Sequence, residues 1–157
     1  MEQYIEPFIK GSKEVFKELC NIEINDGRGF FLSKGEFEKN WDISGIIGLS
    51  GEANGAVAIS LKEITACRIT NILTNNEHTS IDSYVTDTIG EIINIIVGNV
   101  KVHYEENYRI KITLPTIIKG KSHSFIWPSE KTRIICIPFS IFENQEFFIS
   151  IVMEQIK

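Results

Sequence analysis

Residues 87–101 read DTIGEIINIIVGNVK, and this stretch predicts a helix with one face in the core and one face in solvent. Its apolar residues recur every three or four positions, as in an amphipathic helix that advances about 100° per residue. One face of that helix carries the residues expected in the core: Ile89, Ile93, Ile96 and Val100. The opposite face carries a polar stripe of Asp87, Glu91, Asn94, Gly98 and Lys101, with Gly90 beside it. Glu91 and Asn94 are therefore expected on adjacent turns, side by side and exposed.

Three residues of this helix are unusual for an element that serves stability alone. Gly90 and Gly98 lie in the helix interior, where each costs about 1 kcal/mol relative to alanine, and Asn94 is a poor helix former. Glycines beside an exposed Glu/Asn pair leave room for the backbone of another molecule. The Glu-x-x-Asn spacing itself carries little weight, because Glu18 and Asn21 repeat it where Asn21 is more simply a helix C-cap. On these residues alone, a solvated polar stripe remains the favoured interpretation.

The remaining chain predicts a second long helix and two hairpins. Helical periodicity indicates a helix over residues 4–19, in addition to the one over 82–104. One hairpin is expected from 43–49 and 56–61, with Asn54-Gly55 as a turn signal. The other is expected from 133–140 and 146–153.

The order of helix, strands and hairpin occurs twice along the chain. A shorter helix over 62–73 closes the first half, and strands over 110–114 and 116–125 belong to the second. We therefore expect a single α/β domain over 1–157, in which a largely antiparallel sheet packs on two long helices. Its halves, about 1–78 and 79–157, form a predicted internal pseudo-repeat.

Composition and charge narrow the class of protein. The net charge is −5 and no Lys/Arg cluster stands out, which argues against a nucleic-acid partner. Three scattered cysteines and three scattered histidines, without a CxxC pair, argue against a disulfide framework or a bound metal. The first residues lack the features of a signal peptide, and the most apolar run, 89–97, is too short to span a membrane. We expect a cytoplasmic protein with no membrane partner and no cofactor of its own.

Several spaced motifs resemble one family. The pattern Asp87-x-x-Gly90-Glu91-x-x-Asn94-x-x-x-Gly98-Asn99 resembles the signature helix of the CheC/CheX/FliY phosphatases of bacterial chemotaxis. Four further stretches look like the CheX branch specifically: Glu6-Pro7-Phe8, DISGIIGLSG at 42–51, Leu114-Pro115-Thr116 and Ile137-Pro138-Phe139. The resemblance covers essentially the whole chain with the motifs in order, and it outweighs the plain interpretation of the polar stripe. It implies the CheC-like fold.

The resemblance also implies an activity, which is hydrolysis of the aspartyl phosphate on a CheY-type response regulator. Glu91 would pair with a lysine at the regulator's active site, and Asn94 would orient a water for in-line attack. Such roles suit the chemistry, because an acyl phosphate is already activated and the remaining barrier is largely one of positioning. The other polar-stripe residues and Gly90 would contact the regulator, which supplies its own Mg²⁺.

Relatives with two active sites carry a second Glu-x-x-Asn on the first helix, and this chain departs from that pattern. Glu6 is present, but Ile9 stands where asparagine is required. We therefore expect one site per chain, as in the CheX branch. The resemblance further implies a homodimer joined through sheet edges.

Two other classes of function compete with the phosphatase. A noncatalytic adaptor or motor-associated module could dock a partner on the same helix face, although it would have no need to keep Asn94. A small-molecule enzyme is disfavoured, since the sequence shows no phosphate loop, nucleophile elbow or metal motif.

Overall fold

The computed structural model describes residues 2–32, 40–104, 109–123 and 133–155. Within these ranges the helices are α1 (Glu2–Cys20), α2 (Glu63–Thr74) and α3 (Ser83–Tyr104). The strands are β1 (Asn25–Asp26), β2 (Phe30–Phe31), β3 (Trp41–Gly51), β4 (Ala53–Leu61), β5 (Ile110–Ile112), β6 (Thr116–His123), β7 (Ile135–Ile141) and β8 (Gln145–Gln155). Both long helices and both hairpins lie where the sequence predicts them. The part of the predicted strand beyond His123 falls outside the described residues.

The eight strands in the described part of the chain form one antiparallel sheet in the order β1-β7-β8-β4-β3-β5. The two hairpins, β3–β4 and β7–β8, meet where β4 pairs with β8, from Ala53↔Gln155 to Leu61↔Phe147. The other four strands cross between the halves of the chain: β1 and β2 pair with β7, whereas β5 and β6 pair with β3. The predicted α/β class with a largely antiparallel sheet is confirmed. The internal duplication itself stays a prediction.

One face of the sheet carries the main core, and the helices pack on it. Alternation along β3 places Ile43, Ile47 and Leu49 on this face, where all three are buried. α3 contacts α1, α2 and β3 and so lies at the centre of the helical layer. Burying each large aliphatic side chain of this kind stabilises the fold by about 1.5–3 kcal/mol.

The opposite face of the sheet carries a smaller buried cluster. Its members are Trp41, Ile134, Cys136, Phe148 and Val152. Phe148 and Val152 alternate along β8 with Phe147 and Ile151 of the main core, which places them on the second face. The edge-to-face packing of Trp41 on Phe148, with ring centroids 4.9 Å apart, ties β3 to β8 there.

The predicted turn at Asn54-Gly55 is wrong. The β3–β4 ladder continues to Leu49↔Gly55, and Gly55 also pairs with Met153 of β8. A Cβ at residue 55 would lie 1.9 Å from the carbonyl oxygen of Val152. Close passage of the β8 backbone therefore requires this glycine, and no turn is involved.

Candidate functional site on helix α3

The N-terminus of α3 is fixed by Asp82. The Val85 backbone N–H donates to Asp82 Oδ1 at 3.0 Å, which is the geometry of a side-chain cap. His78 Nδ1 lies 2.7 Å from Asp82 Oδ2, and the hydrogen bond with His78 is the largest cause that lowers the pKa of this carboxyl below its usual value. The cap sets where the helix begins and hence which residues follow on each face.

The buried face of α3 is the one that the sequence predicts. Ile89, Ile93 and Ile96 are fully buried, and Val100 is 4% exposed. Two glycines, one on β3 and one on α1, let α3 pack closely against these two elements. A Cβ at Gly45 of β3 would lie 3.2 Å from Ile93 Cγ2, and one at Gly11 of α1 would lie 3.6 Å from Val100 Cγ2. Packing against both β3 and α1 fixes the rotation of α3 about its own axis.

The polar stripe faces away from this core, as predicted. Glu91 and Asp87 are exposed, whereas Asn94, Gly98 and Lys101 are half-buried. Glu91 and Asn94 are three residues apart on a helix, so they emerge on adjacent turns. Asn94 was expected to be exposed, and its partial burial restricts its rotamers more than those of Glu91. The arrangement offers a mobile carboxylate beside a better-fixed carboxamide.

Gly90 is buried, contrary to its expected place on the exposed face beside the polar stripe. A Cβ at this position would lie 3.7 Å from Pro115 Cγ and 3.6 Å from Ile117 Cδ1. The side of α3 that Gly90 leaves open is filled by the chain's own connection between β5 and β6. The angular position of Gly90 on the helix could not predict its burial, because the covering residues come from the edge of the sheet.

Gly98 contrasts with Gly90. A Cβ built at Gly98 would meet no atom within 4 Å, so the space beside it opens to solvent. Its φ is not in the left-handed region, so backbone conformation does not demand glycine here. The fold of this chain therefore gives no reason for Gly98, and the expectation that a partner approaches there remains a prediction.

The first helix carries no second copy of the pair. Glu6 is exposed, but Ile9 is 8% exposed and belongs to the core. Asn21 follows α1 with φ of 52°, and its N–H donates to the carbonyl of Lys17 at 3.0 Å. It ends the helix as a C-cap, as the sequence predicts.

Other chemistry-bearing groups lie away from the stripe. Burial raises the pKa of the Cys20 thiol to about 11, and burial first, then Glu63 and Asp82, raise that of Cys67. Both thiols are therefore protonated at neutral pH. Among the described residues, no group of three or more His, Cys, Asp or Glu side chains could hold a metal ion. In the same ranges, no helix combines the length and apolar character needed to cross a membrane.

Comparison with known proteins identifies the family. The model of the family described as chemotaxis phosphatase CheX matches residues 43–140, which include all of α3. The chain belongs to the CheX family. No match was found among curated proteins.

Solved structures share the fold of this CheX-family chain over nearly its whole length. A CheC-like superfamily protein from Shewanella sp. PV-4 is 28% identical, with a TM-score of 0.86 over 96% of this chain and 97% of that one. The chemotaxis protein CheX from Vibrio vulnificus is 27% identical, with a TM-score of 0.86 over 97% and 99%. The CheX of a CheX–CheY–BeF₃–Mg²⁺ complex from Borrelia burgdorferi is 24% identical, with a TM-score of 0.78 over 97% and 98%. The CheC-like fold is thereby shown.

Proposed function

We propose that this CheX-family chain hydrolyses the aspartyl phosphate of a CheY-type response regulator. The observation that carries the proposal is the placement of Glu91 and Asn94 on the solvent side of α3, a helix whose opposite face is fully buried. A rigid helix with one polar stripe can enter a partner's active site without rearrangement, so little ordering is needed on binding. The Borrelia complex, which has the same fold, contains CheY.

Glu91 is proposed to dock the helix. Its carboxylate is exposed, and we expect it to pair with a lysine at the regulator's active site. Such a charge-assisted contact fixes the register between two proteins and speeds their encounter. Asp87, one turn earlier and also exposed, adds negative charge on the same side.

Asn94 is proposed to orient the hydrolytic water. A carboxamide both accepts and donates hydrogen bonds, so it can hold a water in line with the scissile P–O bond without acting as a strong base. The water oxygen bonds to phosphorus, the aspartate carboxylate leaves, and inorganic phosphate is released. Because the transition state is loose, correct placement of this water supplies most of the acceleration.

The regulator is proposed to bring the Mg²⁺ that neutralises the phosphoryl oxygens, so the metal need not be held by this chain. Gly98 and Lys101 lie further along the stripe than Asn94, and we propose that they contact the regulator's backbone and surface. The proposed substrate would place the activity in the cytoplasm.

A homodimer is part of the proposal. Of the described edge strands, β6 is the longest, and its one described neighbour is β3. An open strand edge presents unpaired backbone donors and acceptors that a second copy of the chain can satisfy. We propose that two chains join through this edge, on the far side of the sheet from β1 and β2.

The direct test measures loss of phosphate from a phosphorylated CheY-type receiver domain with Mg²⁺, with and without the chain. A phosphatase speeds the loss severalfold or more at catalytic ratios of chain to regulator. Binding without acceleration would instead support the adaptor function. If the chain neither binds nor accelerates phosphate loss from any receiver domain of the source organism, both the phosphatase and the adaptor functions are refuted.

A further inference from the structure

One motif singled out in the sequence has no part in the proposed chemistry. Leu114 of Leu114-Pro115-Thr116 is 84% exposed, the highest value among the large hydrophobic side chains in the described ranges. A single exposed leucine is common on protein surfaces and means little by itself. Its significance here comes from where the structure holds it.

The connection between β5 and β6, residues 113–115, is pinned on both sides. On the sheet side, the Thr113 N–H donates to the carbonyl of Gly48 at 3.0 Å, and the Gly48 N–H donates to Thr113 Oγ1 at 2.8 Å. On the helix side, the Pro115 ring lies 3.7 Å from the position of a Cβ at Gly90. The backbone is therefore held on both sides of Leu114, whose side chain is exposed.

The same contact places Leu114 beside the polar stripe. Gly90 directly precedes Glu91 and lies one turn before Asn94 on α3. Pro115 packs on α3 at residue 90, at an ordinary van der Waals distance of 3.7 Å from a Cβ built there, and Leu114, the residue before it, is exposed to solvent. The connection therefore forms an apolar border on one side of the candidate site.

We infer that Leu114 is a docking contact of the proposed reaction: it packs on an apolar surface next to the regulator's phosphoaspartate. The inference rests on the proposed function. Burial of an exposed leucine at the edge of a docking surface adds affinity without touching the reacting atoms. It also excludes bulk water from the ion pair of Glu91, which strengthens that contact.

Ile64 offers a matched control, since it is an aliphatic residue that is 66% exposed on α2. The Glu63 N–H donates to Asp42 Oδ2 at 2.7 Å, so Ile64 lies near the Asp42 end of β3. Thr113 binds Gly48, six residues further along that strand, a distance of roughly 20 Å. A general loss of surface hydrophobicity would affect both positions alike.

The test measures binding of CheY-type receiver domains from the source organism, activated with BeF₃⁻ and Mg²⁺, by titration calorimetry, together with phosphatase kinetics. For Leu114→Ser we expect a roughly tenfold rise in Kd, equivalent to about 1.4 kcal/mol, and a matching rise in KM with kcat nearly unchanged. Leu114→Met should retain most of the wild-type affinity, because the side chain stays large and apolar. Ile64→Ser should bind like the wild type.

Each other result overturns the inference in a recognisable way. Wild-type affinity in Leu114→Ser, or equal weakening in Ile64→Ser, refutes the role of Leu114 and leaves the proposed function intact. A wild-type chain that neither binds nor dephosphorylates the regulator refutes the proposed function, and the inference fails with it. Unchanged circular dichroism and Tm show that the variants are folded.

Discussion

At the scale of single residues, Glu91 is proposed to contribute to affinity for the regulator and Asn94 to the chemical step. Glu91 is exposed and can follow a partner's lysine, whereas Asn94 is half-buried and better fixed. A docking residue and a positioning residue should therefore respond differently to substitution.

Replacement of Glu91 by glutamine tests the docking role. The change keeps the size of the side chain and removes its charge, so we expect KM for the phosphorylated regulator to rise about tenfold or more while kcat changes less. The weaker binding should also depend less on salt concentration. Steady-state kinetics at several ionic strengths provide the measurement.

Glu14→Gln is the matched control, because Glu14 is exposed on α1. It removes the same charge from a different helix of the chain. If Glu14→Gln weakens the reaction as much as Glu91→Gln does, net charge rather than a specific ion pair governs binding.

The sequence predicted the polar stripe because helical periodicity fixes which side chains share a face. It failed for Gly90, whose neighbours come from the β5–β6 connection. That connection is positioned by hydrogen bonds to Gly48, about 65 residues earlier in the chain. No local pattern encodes such a contact, so the sequence could not separate a glycine covered by the chain's own β5–β6 connection from one open to a partner.

At the scale of elements, the two glycines of α3 provide a paired experiment. Alanine at either position should raise helix stability by up to about 1 kcal/mol, or roughly 2–4 °C in Tm, because a Cβ meets ordinary contacts at residue 90 and open space at residue 98. Gly98→Ala should nevertheless weaken regulator binding roughly tenfold, since a methyl group would enter a close-packed interface. Gly90→Ala should bind normally.

Thermal unfolding and calorimetric titration of the two variants check this prediction. Equal binding by Gly98→Ala and the wild type would show that no partner backbone approaches residue 98. A loss of Tm in either variant would contradict the packing described for α3.

The cap of α3 predicts a pH dependence. The pKa of Asp82 is lowered from 3.8 in the folded state, with the His78 hydrogen bond as the largest cause, so its ionised form stabilises the fold. This contribution is complete at pH values above 3.8 and is lost as the pH falls through the lower folded-state pKa. Asp82→Asn can still cap the helix but does not titrate.

The Tm of the wild type minus that of Asp82→Asn should therefore shrink as the pH falls below 3.8. Scanning calorimetry across this range measures it. A difference that grows as the pH falls below 3.8 would contradict the assigned sign.

The helices and strands were predicted well where hydrophobic periodicity defines them. The glycine positions inside paired strands were predicted poorly, because they depend on the neighbouring strand. Lys119-Gly120-Lys121 has the composition of a turn but lies within β6, where the register with β3 shifts between Trp41 and Ile43. The φ of 154° at Gly120 accommodates this irregularity. As at Gly55, the glycine signals close or irregular pairing rather than a reversal of the chain.

At the scale of the whole molecule, the cross-pairing of the halves gives the sheet its shape. β5 and β6 extend the first hairpin, and β1 and β2 extend the second, so each half completes the other's sheet edge. Periodicity along the sequence predicts the strands but not their partners, because pairing depends on contacts between distant segments.

The proposed homodimer makes a prediction about mass. Light scattering after size exclusion should give about twice the 17.9 kDa of one chain at micromolar concentration. A mass of one chain at these concentrations would contradict association through β6. The phosphatase proposal does not depend on this result, since the polar stripe lies on α3.

Asn94→Ala tests the central claim most directly, with Asn99→Ala as its control. Asn99 is exposed on the same helix, five residues further on and about 140° round its axis from Asn94. Single-turnover loss of phosphate from the phosphorylated regulator, at saturating chain and with Mg²⁺, isolates the chemical step from binding. The account predicts that Asn94→Ala binds the BeF₃⁻-activated regulator yet loses essentially all acceleration, while Asn99→Ala matches the wild type. Wild-type acceleration in Asn94→Ala would contradict it.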